Sequence, residues 1–139
     1  MDLTVRRLAD GDLPVIAAIQ KASPEAAQWD PADYLAYNSL VAICNGTIAG
    51  FLITRTIAPG ETEILNVAVA PEFRRQGVAR HLISHDNVLL DGTVYLEVRA
   101  SNQVAQDFYN RLGFQEVARR DGYYSDPPET AIVMKFHSC

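Results

Sequence analysis

Apolar and polar residues alternate along several short segments of the chain, and a period of two residues is typical of strands with one buried face. Leu3 and Val5 show this pattern near the start, and Val94, Leu96 and Val98 show it in the second half. Seven strands are predicted in this way, the first around Leu3 and the others over residues 40–44, 47–57, 62–69, 93–99, 114–118 and 130–136.

Apolar residues three or four positions apart predict helices between these strands. Four helices are predicted: one capped by Asp10 or Asp12 and ending near Ala22, one beginning at Asp30-Pro31, one from Gly77 to about Asn87, and one from Ser101 or Asn102 to Leu112. The order β-α-α-β-β-β-α-β-α-β-β predicts the α/β (α+β) class, with a single mixed sheet and helices on both faces.

Two asparagines mark irregular positions in the strand pattern. Asn45-Gly46 separates two apolar runs and favours a type I′ hairpin turn, because both residues tolerate positive φ. Asn66 interrupts the run over residues 62–69 and is a poor strand former. It predicts either a β-bulge that bends the strand or a side chain that points to solvent.

Length and composition indicate one domain over residues 1–139. With 48% hydrophobic residues, the chain can bury a core without cross-links. Cys44 lies in an apolar run and Cys139 is the last residue, so a structural disulfide is not expected and a cytoplasmic location is favoured. No segment matches a membrane span or a signal peptide.

The formal net charge is −5. This balance disfavours non-specific binding to nucleic acid, which needs a basic surface. It is compatible with a basic acceptor, such as an amine or a peptide rich in lysine and arginine.

The run from Val67 to Arg80 predicts a strand, a turn and the start of a helix. Gly77 has no Cβ, so a ligand can approach the backbone, and Arg74, Arg75 and Arg80 surround it with positive charge. The free N–H groups at a helix start attract anions. The run therefore favours a phosphate-binding loop, and its alternative is an exposed basic turn.

Other chemical patterns are not supported. The phosphate loops with Gly-Lys-Ser/Thr or G-x-G-x-x-G are absent. His81 and His85 have metal-binding spacing, but the sequence supplies no third ligand, so no metal is expected. Ser84, His85 and Asp86 are adjacent and point in different directions on a helix, which excludes a triad.

Three segments together resemble the GNAT N-acetyltransferase superfamily. Arg74-x-x-Gly77-x-Ala79 resembles its acetyl-CoA motif, in the Arg/Gln-x-x-Gly-x-Gly/Ala form. The segment 96–102, Leu-Glu-Val-Arg-Ala-Ser-Asn, and the segment 108–114, Phe-Tyr-Asn-Arg-Leu-Gly-Phe, resemble the branch that acetylates the N-terminal alanine of ribosomal proteins. The resemblance covers residues 63–136 and implies a GNAT-like, mostly antiparallel sheet.

The resemblance also implies two catalytic residues. Glu97 falls on the branch's proton acceptor, whereas the strand pattern alone favours a surface carboxylate paired with Arg99 or with a cation of another strand. Apolar neighbours would raise the pKa of such a base toward neutrality. Tyr109 falls on the branch's proton donor, whereas its helical spacing also fits ordinary core packing.

Acetyl-CoA is the acetyl donor that the resemblance implies. Its expected contacts are with Val67, Ala68, Val69, Arg74, Arg75, Gln76, Gly77, Val78, Ala79, Arg80 and Asn102. The leading hypothesis is acetylation of a protein or peptide α-amine by direct attack on acetyl-CoA. The alternatives are acetylation of a small-molecule amine, an acyl-CoA-binding module without catalysis, and an interaction domain without a cofactor.

Overall fold

One seven-stranded sheet forms the framework of the chain, with strands in the order β1-β2-β3-β4-β5-β7-β6. The computed structural model describes residues 2–85, 92–125 and 127–137. The strands are β1 (Leu3–Arg7), β2 (Asn38–Cys44), β3 (Thr47–Ala58), β4 (Glu61–Val69), β5 (Thr93–Arg99), β6 (Gln115–Ser125) and β7 (Pro128–His137). Only the β4–β5 pair is parallel among them, so the predicted mostly antiparallel sheet is confirmed.

Three α-helices are described: α1 (Leu13–Lys21), α2 (Val78–His85) and α3 (Gln103–Leu112). They cover both faces of the sheet, because each face has its own buried cluster. Leu52 packs with Leu82 of α2 and Tyr109 of α3, whereas its neighbour Phe51 packs with Ile16 of α1 on the opposite side. Alternation along β3 therefore supplies both cores.

Local sequence rules account for most of the boundaries. Asn45 and Gly46 have positive φ angles, as the predicted hairpin turn requires. Gly113 ends α3 in the left-handed region, which a residue without a Cβ adopts readily. Asp30 caps the 3₁₀ helix Pro31–Ala36 by accepting a hydrogen bond from the Ala32 N–H.

Two boundaries differ from the sequence prediction. The second predicted helix is a 3₁₀ helix, Pro31–Ala36. Strand β6 runs on to Ser125, through the segment predicted to be a polar loop, because an edge strand can expose polar residues on both faces while it pairs with β7. The predicted helix end near Asn87, and the predictions for Asp86 and Cys139, lie outside the described residues.

The parallel pairing of β4 with β5 is short, and this shortness creates the site. It includes only Glu61 with Thr93, Thr62 with Val94, and Glu63 with Tyr95. Beyond these pairs the two strands no longer face each other in register. The sheet therefore opens into a gap between the last part of β4 and the last part of β5.

Candidate active site

A bulge in β4 accompanies the gap. Asn66 pairs with Ile53 and Ile64 pairs with Thr54, so Leu65 has no opposite residue on β3. The bulge therefore lies one residue before Asn66, in the interrupted segment where the sequence predicted it. Asn66 is buried, so the alternative of a solvent-facing side chain is wrong.

Two clefts lie along the gap. The first, of about 460 Å³, is lined by β4 residues 64–66 and β5 residues 96–99, and we call it the strand cleft. The second, of about 480 Å³, is lined by the start of α2, by residues of α3 and by four arginines, and we call it the arginine cleft. Glu25 lines both clefts, so they adjoin at this residue.

The turn before α2 forms one wall of the arginine cleft. Arg75 and Gly77 both have positive φ angles, of 63° and 80°, and such turns direct backbone N–H groups toward one side. The His81 N–H makes the first helical hydrogen bond, to the Gly77 carbonyl. The preceding amides, from Val78 to Arg80, therefore have no intrahelical acceptor.

Positive charge surrounds this turn. Arg74, Arg75, Arg80 and Arg111 all line the arginine cleft. A Cβ added at Gly77 would meet no other atom within 4 Å, so the space beside the turn is open. Free amides, open space and the positive charge of four arginines suit a phosphate.

Arg74 also has a structural role that the sequence did not suggest. Its guanidinium donates to the Val69 carbonyl at 3.2 Å, to the Ala22 carbonyl at 3.0 Å and to the Ser23 hydroxyl at 3.3 Å. These bonds hold the loop after α1 against the end of β4.

Glu97 and Tyr109 both line the strand cleft. Glu97 lies on β5 between the buried residues Leu96 and Val98, and its Oε1 accepts a hydrogen bond from Arg120 of β6 at 2.9 Å. The carboxylate is thus paired with a cation of another strand. Arg99 instead contacts Glu129 at 3.4 Å.

Tyr109 combines core packing with access to the cleft. Its ring makes edge contacts with Phe108 and Phe114, and only 4% of the residue is exposed. Burial, and to a smaller extent the charge of Glu25, raise the pKa of the Tyr109 hydroxyl. The phenol therefore keeps its proton at neutral pH and can act only as a donor or as a neutral acceptor there.

The other predicted contacts fall into three groups. Val69, Gly77, Val78, Ala79 and the three predicted arginines line the arginine cleft. Val67, Ala68 and Gln76 line neither cleft. Val67 and Ala68 are fully buried, and the Gln76 side-chain amide donates to the Glu72 carbonyl. Asn102 lines the strand cleft and caps α3 by accepting from the Ala105 N–H.

Comparison with known proteins identifies the family. The model of the acetyltransferase (GNAT) family matches residues 5–114. The chain belongs to the GNAT acetyltransferase family. It is 35% identical to the [ribosomal protein bS18]-alanine N-acetyltransferase of Escherichia coli strain K12, over 94% of this chain and 95% of that protein.

Solved structures agree with the family assignment. The crystal structure of the Escherichia coli ribosomal-protein-S18-alanine N-acetyltransferase superposes with a TM-score of 0.74 at 33% identity, covering 99% of this chain and 94% of that one. Naa20 of Chaetomium thermophilum, solved with a bisubstrate analogue, gives a TM-score of 0.78 at 27% identity, covering 96% and 86%. The protein is therefore an acyltransferase of the GNAT type.

Four residues that line or shape the two clefts were not predicted from the sequence: Glu25, Arg111, Arg120 and Tyr124. Arg111 lies within the segment 108–114, so its motif was an available signal. Tyr124 stacks on Arg99, with 4.3 Å from the guanidinium carbon to the ring centre. Glu25 carried only a weak signal, as a lone carboxylate between Pro24 and two alanines.

A buried hydrogen-bond network fixes the loop that carries Glu25. The Asn66 side chain accepts from the Ala27 N–H at 3.0 Å and donates to the Ala27 carbonyl at 2.8 Å. It also donates to the Tyr34 hydroxyl at 2.8 Å, and Tyr34 in turn donates to Gln20 of α1. Burial raises the pKa of Tyr34 to about 12, so this donor stays protonated.

In residues 2–85, 92–125 and 127–137, no group of three or more His, Cys, Asp or Glu side chains is arranged to hold a metal ion. No helix in the same ranges is long and apolar enough to cross a membrane.

Proposed function

We propose that this GNAT protein transfers an acetyl group from acetyl-CoA to the α-amine of a protein or peptide N-terminus. The observation that carries the proposal is the pair of adjoining clefts. One is lined by four arginines and the free amides of α2, and the other by Glu97 and Tyr109. A phosphate-binding end and an acid–base end are what transfer from a CoA thioester to an amine requires.

The arginine cleft is the proposed binding site for the diphosphate of acetyl-CoA. Amides of Val78, Ala79 and Arg80 donate to it, Arg75 and Arg111 add charge, and Gly77 leaves the space open. The edge of β4 beyond Glu63, which is not paired with β5 and includes the main chain of residues 67–69, holds the pantetheine arm, and Asn102 contributes from the start of α3. Bound acetyl-CoA supplies the acetyl thioester that the acceptor amine attacks.

Glu97 is the proposed general base. An amine attacks only when it is neutral, so the acceptor ammonium must first lose a proton. The Glu97 carboxylate lines the strand cleft, and Arg120 holds one of its oxygens in place. The second oxygen is buried and has no hydrogen-bond partner in the described chain, so its capacity to accept a hydrogen bond is unused.

Tyr109 is the proposed general acid. Attack on the thioester releases a thiolate, which leaves more easily when it receives a proton. The buried Tyr109 hydroxyl is protonated at neutral pH and lines the same cleft as Glu97. Its position on α3, next to the arginine cleft, suits donation toward the sulfur of CoA.

The acceptor class rests on the relatives. The Escherichia coli relative is named for the N-terminal alanine of ribosomal protein bS18, and the Chaetomium thermophilum structure is of Naa20. The two carboxylates of the strand cleft suit a positively charged amine.

Release of CoA thiol tests this function. Purified protein is incubated with acetyl-CoA and either basic peptides that begin with alanine or a panel of polyamines and aminoglycosides. Turnover of the peptides, with acetylation of the α-amine seen by mass spectrometry, is the expected result. Turnover of small amines alone would overturn the peptide acceptor, and tight binding of acetyl-CoA without turnover of any amine would overturn the enzymatic role.

A further inference from the structure

The loop between α1 and the 3₁₀ helix Pro31–Ala36 carries a buried carboxylate, Glu25, in an unusual environment. Glu25 is only 8% exposed, and its Oε1 has no hydrogen-bond partner. Burying a carboxylate without a donor is unfavourable, so such a group needs a reason to be there.

Arg74 does not supply the missing donor. Its guanidinium lies 3.6 Å from Glu25 Oε1, which is beyond a hydrogen bond, and it donates instead to the Val69 and Ala22 carbonyls. A hydrogen bond from the Glu25 backbone N–H and the attraction to Arg74 do not offset burial, because the pKa of the Glu25 carboxyl is raised. The site therefore holds a carboxylate whose charge is only partly compensated.

Within the described part of the chain, two buried side-chain oxygens lack a hydrogen-bond partner. They are Oε1 of Glu25 and Oε2 of Glu97. Both residues line the strand cleft, although 72 positions separate them along the chain (97 − 25). Two carboxylates that line one cleft, each with an unsatisfied buried oxygen, match a ligand with several N–H donors and a positive charge.

We propose that Glu25 is the second carboxylate of the acceptor site, and that Glu25 Oε1 and Glu97 Oε2 together bind the ammonium group of the acceptor. This inference rests on the proposed function and deepens it. An ammonium has three N–H donors, so it can satisfy both oxygens at once. Glu25 also lines the arginine cleft, which places the bound ammonium where the two clefts meet.

The proposal gives Glu25 a role that differs from that of Glu97. Glu25 recognises the charged acceptor before the proton is removed, and Glu97 then takes the proton. A hydroxyl in place of the ammonium offers one donor and no charge, so the two carboxylates discriminate strongly against it. A merely structural Glu25 would not distinguish the two ligands.

The test compares two synthetic ligands. The first is a basic peptide that begins with alanine, and the second is the same peptide with a lactyl group, so that a hydroxyl replaces the ammonium. Dissociation constants are measured by calorimetry with the protein saturated with CoA. Glu25→Gln is expected to weaken binding of the alanyl peptide by about 10- to 100-fold and binding of the lactyl peptide by less than about threefold.

Glu63→Gln is the matched control. Glu63 is a partly buried β4 carboxylate that pairs with Arg55 and lines neither cleft. It is expected to leave both dissociation constants unchanged. Loss of affinity for both ligands alike in Glu25→Gln, or no loss for either, would overturn the proposal.

Stability of the variant separates binding from folding. Because burial raises the Glu25 pKa, the folded state binds this proton more tightly than the unfolded state, so ionisation of Glu25 lowers stability as pH rises through the ordinary carboxyl range. Glu25→Gln is thus expected to be at least as stable as the parent at pH 7. A variant that fails to fold would overturn the argument that this charge is uncompensated, and Glu25→Asp then serves for the binding comparison.

The test also separates this proposal from the acceptor class. If the parent turns over only small amines, the peptide acceptor is wrong, and the amine that turns over is compared with its hydroxyl analogue. A selective loss for the amine in Glu25→Gln would support the proposal in that case too. Equal losses for the amine and the hydroxyl analogue would overturn it.

Discussion

Gly77 offers the sharpest test of the phosphate-binding turn. Its backbone lies at φ 80°, so any other residue there is strained by about 1–2 kcal/mol. A Cβ at this position meets no other atom within 4 Å, so a longer side chain can extend into the arginine cleft without a clash. Gly77→Glu and Gly77→Lys therefore share the same backbone strain and differ mainly in charge.

The expected size of the charge effect follows from Coulomb's law. A carboxylate about 6 Å from a diphosphate with two negative charges is repelled by about 3 kcal/mol at an effective dielectric constant of ~40. Salt at physiological strength reduces this by about half, since the Debye length is then about 8 Å. Gly77→Glu is expected to bind acetyl-CoA about 10- to 100-fold more weakly than Gly77→Lys.

Calorimetric titration of acetyl-CoA into the two variants measures this difference. Titrations at low and high salt check its electrostatic origin, because the difference between the variants should shrink as salt rises. Gly77→Ala reports the strain alone, as a loss of stability of about 1 kcal/mol. Equal dissociation constants for the Glu and Lys variants at low salt would refute the assignment of the diphosphate to this turn.

Three further substitutions test the rest of the site. Glu97→Gln is expected to lower kcat by about 10²- to 10⁴-fold while the acetyl-CoA dissociation constant stays within about threefold, and an unchanged kcat would remove this residue from the mechanism. Tyr109→Phe is expected to lower kcat about 10- to 100-fold without weakening the binding of acetyl-CoA, as measured by steady-state kinetics and calorimetry. Equal kcat values for variant and parent would leave the Tyr109 ring with a packing role alone. Asn66→Ala is expected to lower the free energy of unfolding by about 2–4 kcal/mol, because it removes the hydrogen bonds that the buried Asn66 amide makes to both backbone groups of Ala27 and to the Tyr34 hydroxyl, and a change below about 1 kcal/mol in urea denaturation would contradict the network.

Signals that act over a few residues made much of the fold predictable. Asn45-Gly46 specifies its hairpin through the φ angles that both residues tolerate, and the alternation of Val94, Leu96 and Val98 specifies β5. The glycine turn before α2 was predictable for the same reason. Each of these features depends on neighbours in sequence and not on distant partners.

Contacts between distant residues explain what the sequence could not show. Arg120 of β6 reaches Glu97 of β5 across the intervening strand β7. No local sequence pattern specifies this order of strands. Polar residues of β6 looked like a loop because the strand buries almost nothing. Glu25 follows the predicted end of a helix in the sequence, and its environment at the cleft depends on Arg74 from the turn before α2 and on Tyr109 of α3.

Asn66 explains why the shape of the cleft and the position of Glu25 are linked. As a poor strand residue next to the bulge, it marks where the register of β4 with β3 shifts by one residue. Its side chain then binds both backbone groups of Ala27, two positions from Glu25, so the irregularity that opens the gap also anchors the loop beside it. A residue that disfavours a regular strand is therefore tolerated because its buried hydrogen bonds stabilise the loop, and the same bonds bring a second carboxylate to the cleft.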